Sequence, residues 1–341
     1  MGQLSFWDES RRLDKLSELG DCLVRLQKAI NWNIFVPTLK RVFRESAKGP
    51  GGRPPYDYLM MFKILVLQRI YNLSDDQTEY QINDRMSFMR FLGLRIEDKV
   101  PDAKTIWAFR NALSEAGVMR ELFDLFQQQL HKEGLITRTG TIVDASFVEA
   151  PVQRNSKEER AAIKNGEIPE EWQGNANKLR QKDTDARWTK KNGRSFFGYK
   201  DHVKADAESK LIEDYRVSDA ALNDSKPMPE MITEEDKVVY ADSAYDGKPV
   251  AEAIPKNVEN KICKQGRRGR KLTDEEKERN REYSKIRCRI EHIFGFMTGS
   301  MNGLTLRSIG MARAEFNIGL TNLIYNMFRY EFLHRPKKAM A

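Results

Sequence analysis

Sulfur and imidazole are scarce in this chain, which has 3 cysteines and 4 histidines in 341 residues. Cys22, Cys263 and Cys288 are odd in number, widely spaced and without a neighbouring ligand at zinc spacing. That pattern excludes a disulfide framework and a thiolate zinc site, and the thiols are read as reduced and free. So few histidines argue against a His-based metal centre, so carboxylates must do any metal work. No run approaches the roughly 18 consecutive apolar residues of a membrane span. The start, Met1 to Glu9, lacks a charged-then-apolar export signal, and the expectation is a cytoplasmic protein.

What the chain has in abundance is charge. Lys and Arg number 58 against 50 Asp and Glu, a formal net charge of +8, and 32% of residues are charged beside 40% apolar. This is a globular composition with a heavily charged surface, long enough for two domains or for one large domain with insertions. The basic balance calls for an anionic partner; DNA leads, and an acidic membrane surface is the alternative.

From about residue 10 to 133 apolar residues recur at helical spacing with no convincing strand. Tyr58, Met61, Phe62, Leu65, Val66 and Ile70 make one face, after a loop at Gly51-Gly52-Arg53-Pro54-Pro55. Asn72 to Thr78 breaks and recaps a helix, Ser87 to Leu94 gives a short turn, and Pro101 to Thr105 starts another helix. Short capped helices suit a helix-turn-helix DNA-binding region or a plain bundle. After Gly140 strands are expected at 141–148, 196–205, 210–218 and 237–242, with a fifth at 261–264. A helix is expected from Asn223 or Asp224 toward Ile232. Between the first two strands, Gln153 to Arg194 is polar and reads as a mobile insertion ordered by DNA. Long helices are expected at 274–297 and 312–332. The order predicts an α/β protein with one mixed sheet.

Three acids stand out against this layout. Asp144 lies in Thr141-Ile142-Val143-Asp144 and Asp242 in Val239-Tyr240-Ala241-Asp242, both closing strand-like runs. Glu291 lies in Arg287-Cys288-Arg289-Ile290-Glu291, on a basic amphipathic helix. Phosphodiester chemistry uses hard divalent cations, and two strand-end aspartates with a helix glutamate can hold two of them about 4 Å apart. The gaps of 98 and 49 positions leave room for a sheet to fold between the first pair. Each acid has a structural rival: Asp144 as a strand-end turn residue, Asp242 against Asp246, and Glu291 against Glu278 and Glu282. Glu291 alone is expected within the apolar stripe, where an unpaired carboxylate is costly. Arg287, four positions earlier, either neutralises Glu291 or grips a phosphate. His202 is a candidate auxiliary group or a structural strand histidine. From Pro255 to Ile290 there are 13 Lys or Arg against 6 acids, and Arg267, Arg268, Arg270 and Lys271 form a candidate phosphate-contacting loop. Trp172 and Trp188 either stack on a base or anchor the insertion by packing.

The strings Thr141 to Ala150, Phe196 to His202, Ala241 to Gly247 and Arg287 to Glu291, in this order, resemble DDE transposases of bacterial insertion sequences, of the insertion-sequence-five type. Gly52 to Gly93 resembles the helical N-terminal region of that family, so the likeness covers most of the chain. It implies a ribonuclease-H-like core at 136–305 with a polar insertion at about 151–195, a helical DNA-binding region at 1–135 and a C-terminal helix packing on the core at 306–341. It implies Asp144, Asp242 and Glu291 as metal ligands for Mg²⁺, with Mn²⁺ as substitute. The reaction implied is cleavage at terminal inverted repeats and transfer of the 3′-hydroxyl ends to target DNA. A homodimer on double-stranded DNA and association with the nucleoid follow. In the family, the third acid sits in a pattern of Tyr, Arg, Glu and Lys; Arg287 and Glu291 match, whereas Ser284 and Thr298 stand where the Tyr and Lys belong. The rival readings are a metal-dependent nuclease without strand transfer and a DNA-binding relative without catalysis.

Overall fold

The computed structural model of the chain describes residues 6–45, 55–191, 193–267 and 269–335, and the chain divides into two compact units, residues 1–126 with 323–341 and residues 127–322. The described part of the first unit is helical: α1 (Phe6–Glu18), α2 (Cys22–Ala29), α3 (Val36–Glu45), α4 (Tyr58–Ile70), α5 (Asp75–Asp84), α6 (Met86–Leu92), α7 (Ala103–Glu115) and most of α8 (Met119–Lys132). The expected caps hold, with Ser74 accepting from the Gln77 amide and Asp102 from the Thr105 amide. The expected loop at Gly51 to Pro54 lies outside the described residues.

The expectation of a single apolar face at Tyr58 to Ile70 is too narrow. Helix α4 is buried on all sides from Met61 to Ile70, packed by α3, α5, α6 and α7. Polar residues go in with the rest because each finds a partner. The Lys63 ammonium, its pKa lowered by burial, lies 5.1 Å from the Trp32 ring and 5.6 Å from that of Phe91. Gln68 donates to Asp75 and Thr78, and Arg110 grips Asp75 at 2.5 and 2.9 Å.

The second unit is built on a mixed sheet of β1 (Thr141–Glu149), β2 (Arg187–Lys191), β3 (Arg194–Asp206), β4 (Ile212–Asp219), β5 (Val238–Ala241) and β6 (Glu259–Ile262). The path runs β2-β3-β1-β5-β6, with β4 beside β3. β1 is antiparallel to β3 and parallel to β5, so it sits where the meander of β1 to β4 meets the parallel half of the sheet. Between β4 and β5 the expected helix shrinks to α12 (Met228–Met231), because Pro227 and Pro229 bracket its start. Helix α13 (Lys248–Ala253) follows β5, and with α12 it covers one face of the sheet, where Val143, Val239, Ala241, Tyr245, Val250 and Ile262 form a cluster. The other face is covered by α14 (Asp274–Arg287), against β5 and β6, and α15 (Arg289–Gly299), against β1. The single helix expected over 274–297 is thus two, joined at Cys288, and α16 (Met311–Leu333) completes the chain. Among the described residues no helix is long and apolar enough to cross a membrane.

The insertion expected to be mobile instead carries local structure. It holds α9 (Lys157–Lys164), α10 (Glu170–Gln173), α11 (Ala176–Arg180) and strand β2. Ser156 and Glu159 form a reciprocal capping box on α9, and Trp172, fully buried, donates its indole N–H to Glu159 at 2.7 Å. Trp172 is therefore a packing anchor and offers no face to a base, whereas Trp188 is 44% exposed beside Phe197. Gly198, opposite Glu149, closes the β1–β3 pair. It holds φ +150°, and a Cβ there would lie 2.2 Å from the Val148 carbonyl oxygen.

Candidate catalytic site

Strand register brings the two aspartates together. β1 and β5 run parallel with Ile142 opposite Tyr240, and two residues further on lie Asp144 in one strand and Asp242 just past the end of the other. Asp242 stands at the carboxyl end of β5, where open α/β sheets hold ligands, whereas Asp144 does not close its strand as expected but lies inside β1, which runs on to Glu149. Asp144 is 22% exposed and accepts from the Ala145 amide at 2.8 Å. Burial raises its pKa; the Ala145 hydrogen bond and the charges of Arg287 and Lys191 pull it back, and Asp242 pushes it up further. Asp242 is exposed, and it caps the single 3₁₀ turn Ser243–Tyr245 by accepting from the Ser243 amide at 2.6 Å.

Glu291 enters from the first turn of α15 and is 62% exposed. The expectation that it lies within the apolar stripe is wrong: the helix breaks at Cys288, and α15 turns Ile290, Ile293 and Met297 inward while Glu291 faces outward. What ties it to the strands is Arg287, the last residue of α14. One Nη lies 3.2 Å from Glu291 Oε1 and the other 3.6 Å from Asp144 Oδ2. Arg287 thus pairs with Glu291, and the same guanidinium reaches Asp144.

His202 is not brought to these acids. In the antiparallel register Asp144 lies opposite Val203 and Ala145 opposite His202, so the histidine takes the other face of the sheet. It is 1% exposed, with Nε2 2.8 Å from Ser218 Oγ, and burial lowers its pKa to about 4, so the ring is neutral. Asp246 does not cap the following helix; it accepts from Lys264 Nζ at 2.9 Å and the Gln265 amide at 3.0 Å, fastening the start of the basic loop. In that loop Arg267 and Arg270 pair across a tight turn through Gly269 at φ +87°, Arg270 also bonds Glu276 at 2.8 Å, and Lys271 is exposed. Arg268 lies outside the described residues.

Two side chains beside the acids went unassigned in the sequence. Tyr245, 1% exposed, has a hydroxyl with no hydrogen-bond partner among the described residues; burial, and then the charges of Asp144, Asp224 and Asp242, raise its pKa. Lys191, at the end of β2, is close enough to act on Asp144. The signal for β2 was present as Asn192-Gly193, the dipeptide that favours a two-residue hairpin turn.

The donor set suits a hard cation, being carboxylate oxygen with a guanidinium already lying between two of the acids. Among the described residues no three His, Cys, Asp or Glu groups stand close enough together to hold one ion.

Residues 136–327, more than half of the chain, match the family described as Transposase DDE domain, and residues 11–112 match Transposase domain (DUF772). Among solved structures, the cryo-EM structure of a piggyBac transposase synaptic complex with hairpin DNA is similar, at 12% identity over 91% of this chain and 75% of that one, with a TM-score of 0.45. The DDE domain has a ribonuclease-H-like fold and is in general dependent on a divalent metal. The chain therefore belongs to the DDE-domain transposases, enzymes that cleave and transfer DNA.

Proposed function

We propose that the chain binds the terminal inverted repeats of an insertion sequence of the five type, cuts at its ends and joins them to target DNA, with Asp144, Asp242 and Glu291 as the metal-binding carboxylates. The observation that carries this reading is the guanidinium shared by Asp144 and Glu291, beside the strand end that bears Asp242. That guanidinium links two acids that lie far apart in sequence. In cleavage, water oxygen attacks the phosphorus at the element's end and the 3′-oxygen leaves as a hydroxyl; in joining, that hydroxyl attacks a target phosphorus and a target 3′-oxygen leaves. A divalent cation, Mg²⁺ in this reading, would withdraw charge from the phosphodiester and neutralise the leaving oxygen. Asp144, Asp242 and Glu291 would be the residues that hold it.

Arg267, Arg268, Arg270 and Lys271 supply phosphate contacts in this reading, supported by the exposure of Arg267, Arg270 and Lys271 and by the tight turn that presents them. The N-terminal helices supply repeat recognition, and a homodimer holds two ends together. The test is cleavage and strand transfer on a duplex carrying the element's terminal repeat, with Mg²⁺ or Mn²⁺. Asp144→Asn, Asp242→Asn and Glu291→Gln are each expected to abolish both reactions while sparing repeat binding. An active Glu291→Gln would remove the third ligand from the reading, and an intact protein that binds the repeat but neither cuts nor joins would overturn it.

A further inference from the structure

We propose that Arg287 is the internal counter-cation of the carboxylate site, positioning Glu291 against Asp144 and competing with a divalent ion for both. The inference rests on the carboxylate assignment above and goes beyond it, because it gives one residue a role opposed to metal binding.

A lone pair between residues four apart on exposed helix is worth little, since water screens it and two long side chains must be ordered. The Arg287–Glu291 pair differs in having a second anchor. The guanidinium is 20% exposed and reaches 3.6 Å from Asp144, itself 22% exposed. A planar fork can present separate N–H groups to two carboxylates, which a single ammonium point charge does less well. The anchor is also placed by the fold: Arg287 closes α14, Cys288 makes the joint, and α15 starts at Arg289, so the side chain stands at the bend between the helix over β5 and β6 and the helix over β1. Glu291 has no other partner among the described residues, and this guanidinium is what ties it to the strand aspartate. A cation shared by Asp144 and Glu291 brings two positive charges beside a guanidinium that already holds one oxygen of each acid, and the repulsion between the two cations opposes its binding.

The experiment is calorimetric titration of the full chain, without DNA, with Mg²⁺ and separately Mn²⁺, for the intact protein, Arg287→Ala, Arg287→Lys, Arg287→Gln and Asp144→Asn. Thermal melts in EDTA and in excess Mn²⁺ accompany it. Removing the competitor is expected to tighten divalent binding about tenfold in Arg287→Ala, a usual size for coupling between two ligands of one site. Arg287→Lys should fall between that variant and the intact protein. In EDTA Arg287→Ala should melt below the intact protein, and excess Mn²⁺ should close the gap. If Asp144→Asn weakens binding while neither Arg287→Ala nor Arg287→Gln tightens it, the competition is refuted and the carboxylate assignment survives. If Asp144→Asn binds as the intact protein does, the assignment itself fails and the proposal falls with it. Arg287→Gln keeps the side-chain length and serves if the alanine variant does not fold.

Discussion

Asp201 offers a perturbation whose sign and size follow from the structure. It lies on β3, fully buried; one carboxylate oxygen accepts from Asn322 Nδ2 at 3.0 Å, and neither the other oxygen nor Asn322 Oδ1 has a partner among the described residues. Burial raises its pKa to about 7, against the opposing Asn322 hydrogen bond. In the unfolded chain the group titrates near its ordinary value of about 3.9. Between these values the folded protein keeps a proton that the unfolded chain releases, so the unfolded state binds fewer protons and stability falls as pH rises. Below about pH 4 both states are protonated and the cost is absent; above about pH 7 both are ionised and it is complete. Roughly three pH units at about 1.4 kcal/mol each make it about 4 kcal/mol. Asp201→Asn removes the titration, and the introduced amide can donate to Asn322 Oδ1 once that side chain flips. The variant should match the intact protein near pH 4.5 and exceed it by up to about 4 kcal/mol near pH 8. Urea denaturation from pH 4.5 to 8.5 measures the difference, in which the other titrating groups cancel. A difference that stays flat with pH, or an Asp201→Asn protein less stable than the intact one at pH 8, would refute the reasoning.

Three further outcomes are expected. Gly198→Ala should cost about 3 kcal/mol or more, because its Cβ meets backbone atoms of Val148 and Ala150 that cannot move aside as a flexible side chain would; melting temperature reads it, and an unshifted melt counts against the close approach. Lys204→Met should cost about 3–5 kcal/mol, because Lys204 Nζ lies 2.8 Å from Asp236 and 3.3 Å from Glu213, and both acids would be left without it; chemical denaturation measures this, and Lys204→Met with Asp236→Asn should recover part of it. Arg267→Gln with Lys271→Gln should lower the slope of log affinity against log salt for duplex DNA by about 0.9 for each phosphate no longer neutralised; an unchanged slope would place the DNA elsewhere.

The element types were legible wherever one periodicity ruled. β-branched residues open the strand at 141–149, the caps Ser74 and Asp102 stand just before their helices, and 311–333 keeps a helical apolar pattern. Errors fell where local pattern and tertiary context diverged. Helix α4 looked one-sided because Lys63, Gln68 and Arg69 read as surface, whereas the Trp32 and Phe91 rings around Lys63, and Asp75, Thr78 and Arg110 around Gln68, make the burial of those two tolerable. The break at Cys288 has no proline or glycine to announce it, so Glu291 was placed on the wrong side of its helix. The hairpin of β2 was announced by Asn192-Gly193 and hidden among the charges around it.

By itself the sequence determined the kind of molecule: its charge calls for a polyanion, its scarce Cys and His leave carboxylates as metal donors, and the order of its motifs carries the likeness to DDE transposases. Those are properties of composition and of short strings, and they need no folding to be read. Only the tertiary structure decided which groups share a space. The register of β1 against β5 sets Asp144 beside Asp242, that of β1 against β3 sends His202 to the opposite face, and the bend between α14 and α15 puts the Arg287 guanidinium between Asp144 and Glu291. Register and bend angle are fixed by the packing of residues distant in sequence, and a shift of one residue in a strand turns every side chain to the other face.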